Sequence, residues 1–462
     1  MHLSRRQIKQ QDTRQELLQW LALVASALGF FMVTLDTTIV NVALPSIQHT
    51  IEAGITGLQW ITAGYTLVFA SLLLLTGFLS DRFGSKRIFM LGLLIFTLSS
   101  ALCGIAQSLA VLLLARLLQG IGAALLVPAS LSIITQTYTD TRPRAIALGI
   151  WSTIAATAAA AGPVLGGLLV ERTGWHMIFL MNIPVGLVGL LLSMCFIKSI
   201  RTNAQRAFDI PGQITGILTI LSLTFALIEA EPLGWNALPV IGACVVFGAA
   251  LITFLIVEQR STSPMLPLTL FRSATFSSTT LVGFLLNFSY YGLLFLLSLF
   301  YQQLQGLSAW DTGLHLLPLS IINLFATPIS GQMTARTGPR LPMTIGMALS
   351  AAGIFAFLFW GTHALLNLAS FLAIGFGAAL VVPPLTSALL GTVAPRYTGT
   401  ASGVLNASRQ AGGTFGVAIL GALFNSINGQ AGINVALGAA GVALLLGCML
   451  SLFGVSSPER SS

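Results

Sequence analysis

Ionisable side chains are scarce in this chain: only 7% of its 462 residues are Asp, Glu, Lys or Arg, against 55% hydrophobic. A soluble globular domain carries about a quarter charged residues. A soluble enzyme or binding module is therefore excluded, and the chain reads as an all-α, polytopic membrane protein. Cysteine is scarcer still. Cys103, Cys195, Cys244 and Cys448 each fall inside an apolar run without metal-ligand spacing, so they read as packing residues and not as disulfides or ligands. No metal site and no cofactor is expected. No Gly-x4-Gly-Lys-Ser/Thr loop occurs, which removes ATP hydrolysis as a power source and leaves an ion gradient. Acids are rarest in mid-membrane, where Asp36 alone clearly lies. Glu229, Glu231 and Glu258 end apolar runs and read as solvated near the interfaces.

What is present is apolar length. Runs of about 20 residues, enough to cross a hydrocarbon core of about 30 Å, recur at 19–44, 57–80, 87–107, 109–135, 145–169, 176–198, 211–230, 238–257, 274–304, 309–333, 341–361, 365–393, 398–425 and 432–454. Fourteen helices are expected, because a spanning helix satisfies its own backbone. The run after the polar segment 1–18 is too long for a signal peptide and lacks a cleavage site, so it is expected to remain as the first span.

The basic residues sort by side. With the N-terminus in the cytoplasm, eighteen of the 21 Lys and Arg residues fall on the cytoplasmic side, including Arg201, Arg206, Arg396 and Arg460. Only Arg172 lies opposite, and Arg116 and Arg409 lie within spans. This is a positive-inside pattern with both termini cytoplasmic. It accounts for the net charge of +8 without nucleic acid as a partner.

The second half repeats the first at an offset of about 254 residues. The segment from Gly77 to Lys86 aligns with Gly331 to Arg340, Gly120 to Pro128 with Gly375 to Pro383, and Gly149 and Gly162 with Gly403 and Gly416. Spans 7 and 8 are thus an insertion between two six-helix repeats of the same orientation, an architecture of transporters with a site between the halves. The expected division is a cytoplasmic segment 1–18, a six-helix bundle 19–200, an inserted pair 201–263, a second bundle 264–455 and a tail 456–462.

These parallel repeats and the Gly77 to Arg87 loop resemble the major facilitator superfamily. The inserted pair and the stretch from Leu35 to Pro45 resemble its fourteen-helix drug:proton antiporters, the EmrB/QacA type. The resemblance implies a multi-pass protein of the bacterial cytoplasmic membrane, driven by the proton gradient, that exports lipophilic, cationic compounds by alternating access.

Arg116, Gln119 and Gly120 share one helical face. In the family this arginine motif goes with proton coupling, so Asp36 and Arg116 are the expected coupling pair; the alternative is an arginine that reaches to the outer interface. Gly162, Pro163, Gly166 and Gly167 match the antiporter signature, although Ala158 stands where glycine is common. Small residues there also serve ordinary close helix packing. In the loop, Gly77, Asp81, Arg82 and Gly84 suit a conformational latch, Asp81 bonding Arg142 in one state and releasing it in the other.

Candidate cavity residues are Thr34, Thr37, Thr38, Asn41, Gln119, Asn287, Tyr290, Tyr291, Asn406 and Arg409, with Gln302, Gln303 and His315 nearby. Two readings stand for the tyrosines, cavity fixture or interface belt, and two for Arg409, an anion partner or a tie between helices. On a helical projection the Thr/Asn stripe of span 1 lies nearly opposite Asp36, so the two faces serve different neighbours. Two other functions share these features: a symporter or facilitator for a metabolite, and a membrane sensor or assembly subunit without flux.

Overall fold

The computed structural model describes residues 5–198, 209–261, 264, 266–360, 364–393, 398–427 and 429–456. Arg201, Arg206, Arg396 and Arg460, used in the charge sorting, lie outside them, as do the side chains of Asp81 and Arg142. Among the described residues there is no strand. The helices are α1 (Arg5–Ile51), α2 (Ile55–Phe83), α3 (Ser85–Gly104), α4 (Leu109–Thr137), α5 (Thr141–Thr173), α6 (Met177–Phe196), α7 (Ile210–Leu233) and α8 (Leu238–Arg260), followed by α9 (Ala274–Leu299), α10 (Ala309–Thr337), α11 (Arg340–Trp360), α12 (Ala364–Gly391), α13 (Thr398–Ser426) and α14 (Gln430–Gly454). Each expected run coincides with one of them. Thirteen are long and apolar enough to cross a membrane among the described residues. The other, α13, has the length but carries Asn406, Ser408, Arg409 and Gln410 in its middle.

Lipid tails are as apolar as leucine, so burial gives little drive for helix association in a bilayer; close backbone approach and polar bonds supply it instead. The two halves use the same positions for this. The α2–α3 turn is Gly84 (φ 93°) and the α10–α11 turn is Gly338 (φ 77°), a left-handed backbone that glycine enters without strain. Thr76 Oγ1 donates to the Ala124 carbonyl at 2.7 Å, and Ser330 Oγ donates to the Leu380 carbonyl at 2.7 Å. A Cβ at Gly120 would lie 2.7 Å from the Tyr65 carbonyl, and one at Gly375 would lie 2.2 Å from that of Leu319. The sequence repeat is thus a repeat of helix contacts, with two six-helix bundles in parallel orientation.

One face of the molecule carries both described ends of the chain and the turns at Gly84 and Gly338; the opposite, distal face carries the turns near Glu52, Gly174 and Gly306. The halves meet near the distal face. A Cβ at Gly167 would lie 2.4 Å from the Ala309 carbonyl, and one at Gly313 would lie 2.4 Å from that of Pro163. Gln302 Nε2 donates to the Val42 carbonyl at 2.9 Å, and Gln59 Nε2 donates to that of Ala418 at 2.9 Å. Deeper in, the Thr66 and Thr414 hydroxyls are 2.9 Å apart. Toward the termini face the same face of α5 continues through Thr157 and Thr153, both exposed, and that of α10 through Thr327 and Gly331, also exposed. The space between the halves therefore opens to the termini face.

The first inserted helix docks across both halves: Gln213 Nε2 donates to the Ser71 carbonyl and Trp60 Nε1 to Glu229 Oε1 at 2.7 Å on α2, while Ile228 packs with Ala63 of α2 and Ala418 of α13. Glu258 departs from expectation: it is buried, not solvated. The chain beyond α8 folds back over it, and Leu266 N donates to its Oε2 at 3.0 Å. Hydropathy marked the helix end but carried no sign of this cover.

Candidate functional site

Asp36 lies in the middle of α1, and its neighbours are on α4. Arg116 Nη1 donates to Asp36 Oδ2 at 2.5 Å, and Gln119 Nε2 donates to Asp36 Oδ1 at 2.9 Å. Arg116 and Gln119, three residues apart on one helical face, also bond each other, Nη1 to Oε1 at 2.7 Å. The guanidinium is completed by Nε donating to the Ile61 carbonyl at 3.0 Å and by the Tyr65 ring, whose centroid is 4.2 Å from its carbon. Gln119 Nε2 reaches on to Ser100 Oγ at 2.8 Å, which also accepts from Asn182. Asp36 and Arg116 are 0% and 1% exposed, so Arg116 does not reach to the interface. This is the one ion pair among the described residues.

Such a pair holds only while both charges are present. Removing one leaves the other without a partner in low dielectric, at a cost of about 3–5 kcal/mol. The second half has no equivalent. By the repeat, Ser100, Arg116 and Gln119 become Ile354, Phe371 and Ile374, all buried apolar residues, with Leu286 of α9 beside Ile354 and Ile374.

A cavity lies between the halves, lined among others by Thr37 and Asn41 of α1, Thr66 of α2, Arg116, Tyr291 and Gly413. Span 1 does present two polar faces, Asp36 toward α4 and Thr37 with Asn41 toward the cavity. Thr38 is turned elsewhere: it packs on α5, where a Cβ at Gly162 would meet its Oγ1 at 2.0 Å. Thr34 is half-buried and accepts from Thr38 Oγ1 at 3.3 Å. Gln119 sits behind the cavity, within the pair's network. Tyr290 lines a separate apolar pocket inside the second half, and Asn287 is buried on α9. Arg409 is half-buried on α13 and Asn406 exposed one turn before it. His315 is exposed at the start of α10, while Gln302 and Gln303 tie the α9–α10 connection to α1.

The signature of α5 serves two neighbours. Gly162 and Gly166 admit α1, a Cβ at Gly166 falling 2.9 Å from the Ile39 carbonyl. Pro163 and Gly167 form the adjoining face, against α10 of the other half. In the loop, Gly77 has open space around it and the Arg82 guanidinium lies 5.7 Å from the Phe83 ring centroid.

Residues 26–417 match the sequence profile of the Major Facilitator Superfamily. The chain belongs to that superfamily of membrane transporters. It is 36% identical over 457 residues to a methylenomycin A resistance protein of Streptomyces coelicolor, covering 97% of this chain and 95% of the relative. It is 36% identical to the multidrug resistance protein Stp of Mycobacterium tuberculosis (88% and 76%) and 35% identical to the tetracenomycin C resistance and export protein of Streptomyces glaucescens (88% and 76%). The drug-antiporter resemblance read from the motifs agrees with these relatives. Two solved structures share the fold: a bacterial homologue of the lysosomal transporter Spinster, inward-facing and unoccupied (TM-score 0.67, 19% identity, 95% of this chain and 97% of that one), and the xylose transporter XylE of E. coli, inward open (TM-score 0.67, 15% identity, 96% and 98%).

In this member of the superfamily, motif reasoning reached Asp36, Arg116 and Gln119 but not Tyr65, Ser100, Thr66 or Gly413. Thr66 could have been found from its repeat of hydroxyls with Thr62 along one face of α2. Ser100 gave no signal, being one serine in an apolar run.

Proposed function

We propose that this chain is a proton-coupled exporter of lipophilic compounds, working by alternating access across the bacterial cytoplasmic membrane with both termini in the cytoplasm. The observation that carries the reading is the buried Asp36–Arg116 pair, whose arginine also lines the cavity between the halves. A proton arriving on Asp36 removes the negative charge that Arg116 holds, and with it a charge-assisted hydrogen bond. The guanidinium at the cavity wall is then released from α1, and loss of the proton restores the pair. Proton occupancy and cavity shape thus share one bond. The charge sorting supports a cytoplasmic termini face, with the cavity opening inward, ready to load from the cell interior. The functions for which the relatives are named, resistance and export, support the outward direction.

The test uses proteoliposomes with an imposed pH gradient and a panel of fluorescent lipophilic compounds. Substrate movement opposite to protons, abolished in Asp36→Asn, is expected. Movement with protons would make the chain a symporter, and full proton-driven export by Asp36→Asn would remove Asp36 from the coupling step.

A further inference from the structure

We infer that the exported compounds carry an acidic group, and that Arg409 is the residue that takes the anion; this rests on the export reading above. The argument begins with the charges facing the cavity. Arg116 is the charged residue of its lining, while Asp36 is turned away behind it. The other described acids near the junction of the halves are engaged elsewhere, Glu171 with Trp310 N and Glu229 with Trp60. Asp209 and Glu258 lie at the base of the inserted helices. No described carboxylate faces the cavity, so a cationic compound would enter without a counter-charge.

Arg409 has the opposite need. Its Nε is buried with no hydrogen-bond partner, and no described acid pairs with its guanidinium. An uncompensated charge at membrane depth is costly unless a partner or water reaches it. Its position is on the path of entry: Arg409, Gly413 and Val417 recur at i, i+4 and i+8 on α13, and the latter two line the cavity. Arg409 therefore stands one turn from the cavity toward the open face. Across from it on α9, a Cβ at Gly283 would lie 3.1 Å from the Arg409 Cγ, so glycine leaves room for the arginine stem. Two turns further along α9 is Tyr291, which packs on Gly413. A guanidinium followed by a phenol, an amide and hydroxyl groups, with no acid among them, is a surface of donors. It fits a carboxylate or sulfonate on an apolar frame. The first half has Ala155 at the position of Arg409, so the repeat does not require an arginine there.

The inference also fixes the charge moved. An anion leaving as one proton enters carries two charges in the same sense, so the cycle responds to membrane potential. Export of a monovalent cation for one proton would be electroneutral.

The test compares two probes in proteoliposomes: 8-anilinonaphthalene-1-sulfonate, ionised at every pH used and so not redistributed by the gradient itself, and ethidium. The wild-type protein is expected to move the sulfonate against its gradient, faster when a valinomycin–potassium potential is added, and to move ethidium at least tenfold more slowly. Arg409→Gln should raise the sulfonate KM at least tenfold, while Arg409→Lys, which keeps the charge, should retain most of the transport. Proton-driven movement of ethidium but not the sulfonate would leave export standing and overturn the anion site. Sulfonate transport unchanged in Arg409→Gln would overturn it as well. Movement of neither probe overturns the export reading and this inference together.

Discussion

Replacing Arg116 with Gln strands the Asp36 carboxylate where solvent does not reach. It would lose the donor at 2.5 Å and keep only Gln119 Nε2 at 2.9 Å, while Gln119 Oε1 loses its guanidinium donor and keeps only the Cys103 thiol. A hydrogen bond to a charged group contributes about 1.5–3 kcal/mol, and the Coulomb attraction at about 4 Å is about 4 kcal/mol at an effective dielectric of about 20. The observed range for breaking a buried pair, about 3–5 kcal/mol, is the loss to expect. Asp36→Asn should cost less, because Arg116 keeps the Ile61 carbonyl, Gln119 Oε1 and the Tyr65 ring. The double variant carries no stranded charge and should recover most of the loss, leaving a coupling of at least about 2 kcal/mol. Cys103 reports on it: the thiol is buried, and its Sγ lies 3.7 Å from Gln119 Oε1. With Cys195, Cys244 and Cys448 changed to Ser, maleimide labelling of Cys103 follows the opening equilibrium when reclosing is fast. Arg116→Gln should label at least roughly 100-fold faster than the parent, at tenfold per about 1.4 kcal/mol, and the double variant within about tenfold of the parent. If the double variant labels as fast as Arg116→Gln, the ion pair is not what holds α1 to α4 and the reasoning fails.

Gly167→Val should push α5 away from the Ala309 carbonyl, which a Cβ would already approach to 2.4 Å. Overpacking of about 1–3 kcal/mol shifts the halves toward the state open at the distal face, read as a longer spin-label distance between the ends of α5 and α10. An unchanged distance distribution would refute the contact. Gln59→Ala releases the Val417 and Ala418 carbonyls and Thr66→Val releases Thr414; at about 1 kcal/mol each, the pair of changes should move the same equilibrium roughly 30-fold. A second distance measurement, between α2 and α13, checks it. Glu258→Gln should raise the apparent melting temperature in detergent, because Glu258 Oε1 and Asp209 Oδ2 are both buried without hydrogen-bond partners and both lie 2.9 Å from the point a Cβ on Gly212 would occupy. Two carboxylates so placed repel, and a lower melting temperature would show that the pair is held by something the amide cannot replace.

The fold was legible because its signals are carried by chemistry that a bilayer enforces. Backbone polar groups leave helices as the solution for each apolar run, and the glycines that repeat at 254 residues mark contacts where only a missing Cβ lets two backbones meet. The buried ion pair was legible for a related reason, since charges inside spans are few and Asp36 and Arg116 stand out. Direction of facing was less so. Thr37 and Thr38 are adjacent on one projected stripe, yet one lines the cavity and the other packs on Gly162, because a helix enclosed on all sides divides a stripe between neighbours. Tyr290 and Tyr291 separate in the same way, into an apolar pocket and the cavity. Glu258 was misplaced because its cover comes from a segment after the helix, a tertiary contact without sequence periodicity.

In the proposed mechanism, the segment from Asp36 to Val42 carries the effect of one proton to both halves. Within two helical turns, α1 gives Asp36 to α4, Thr37 and Asn41 to the cavity, Thr38 and Ile39 to the glycines of α5, and the Val42 carbonyl to Gln302 of the second half. These are contacts of one rigid helix, so α1 cannot settle into a new position against α4 without altering the others. The approaches at Gly162 and Gly166 leave no slack for a small shift to be absorbed: with a Cβ there, Thr38 Oγ1 would be at 2.0 Å and the Ile39 carbonyl at 2.9 Å. A displacement of α1 therefore moves α5, and α5 carries the Pro163 and Gly167 contacts that close the halves on α10. Tight packing of this kind favours discrete arrangements over gradual deformation. In the proposed mechanism the ion pair supplies the bias between those arrangements, and its absence from the second half, where Phe371 and Ile374 stand instead, leaves that role to a single half of the repeat.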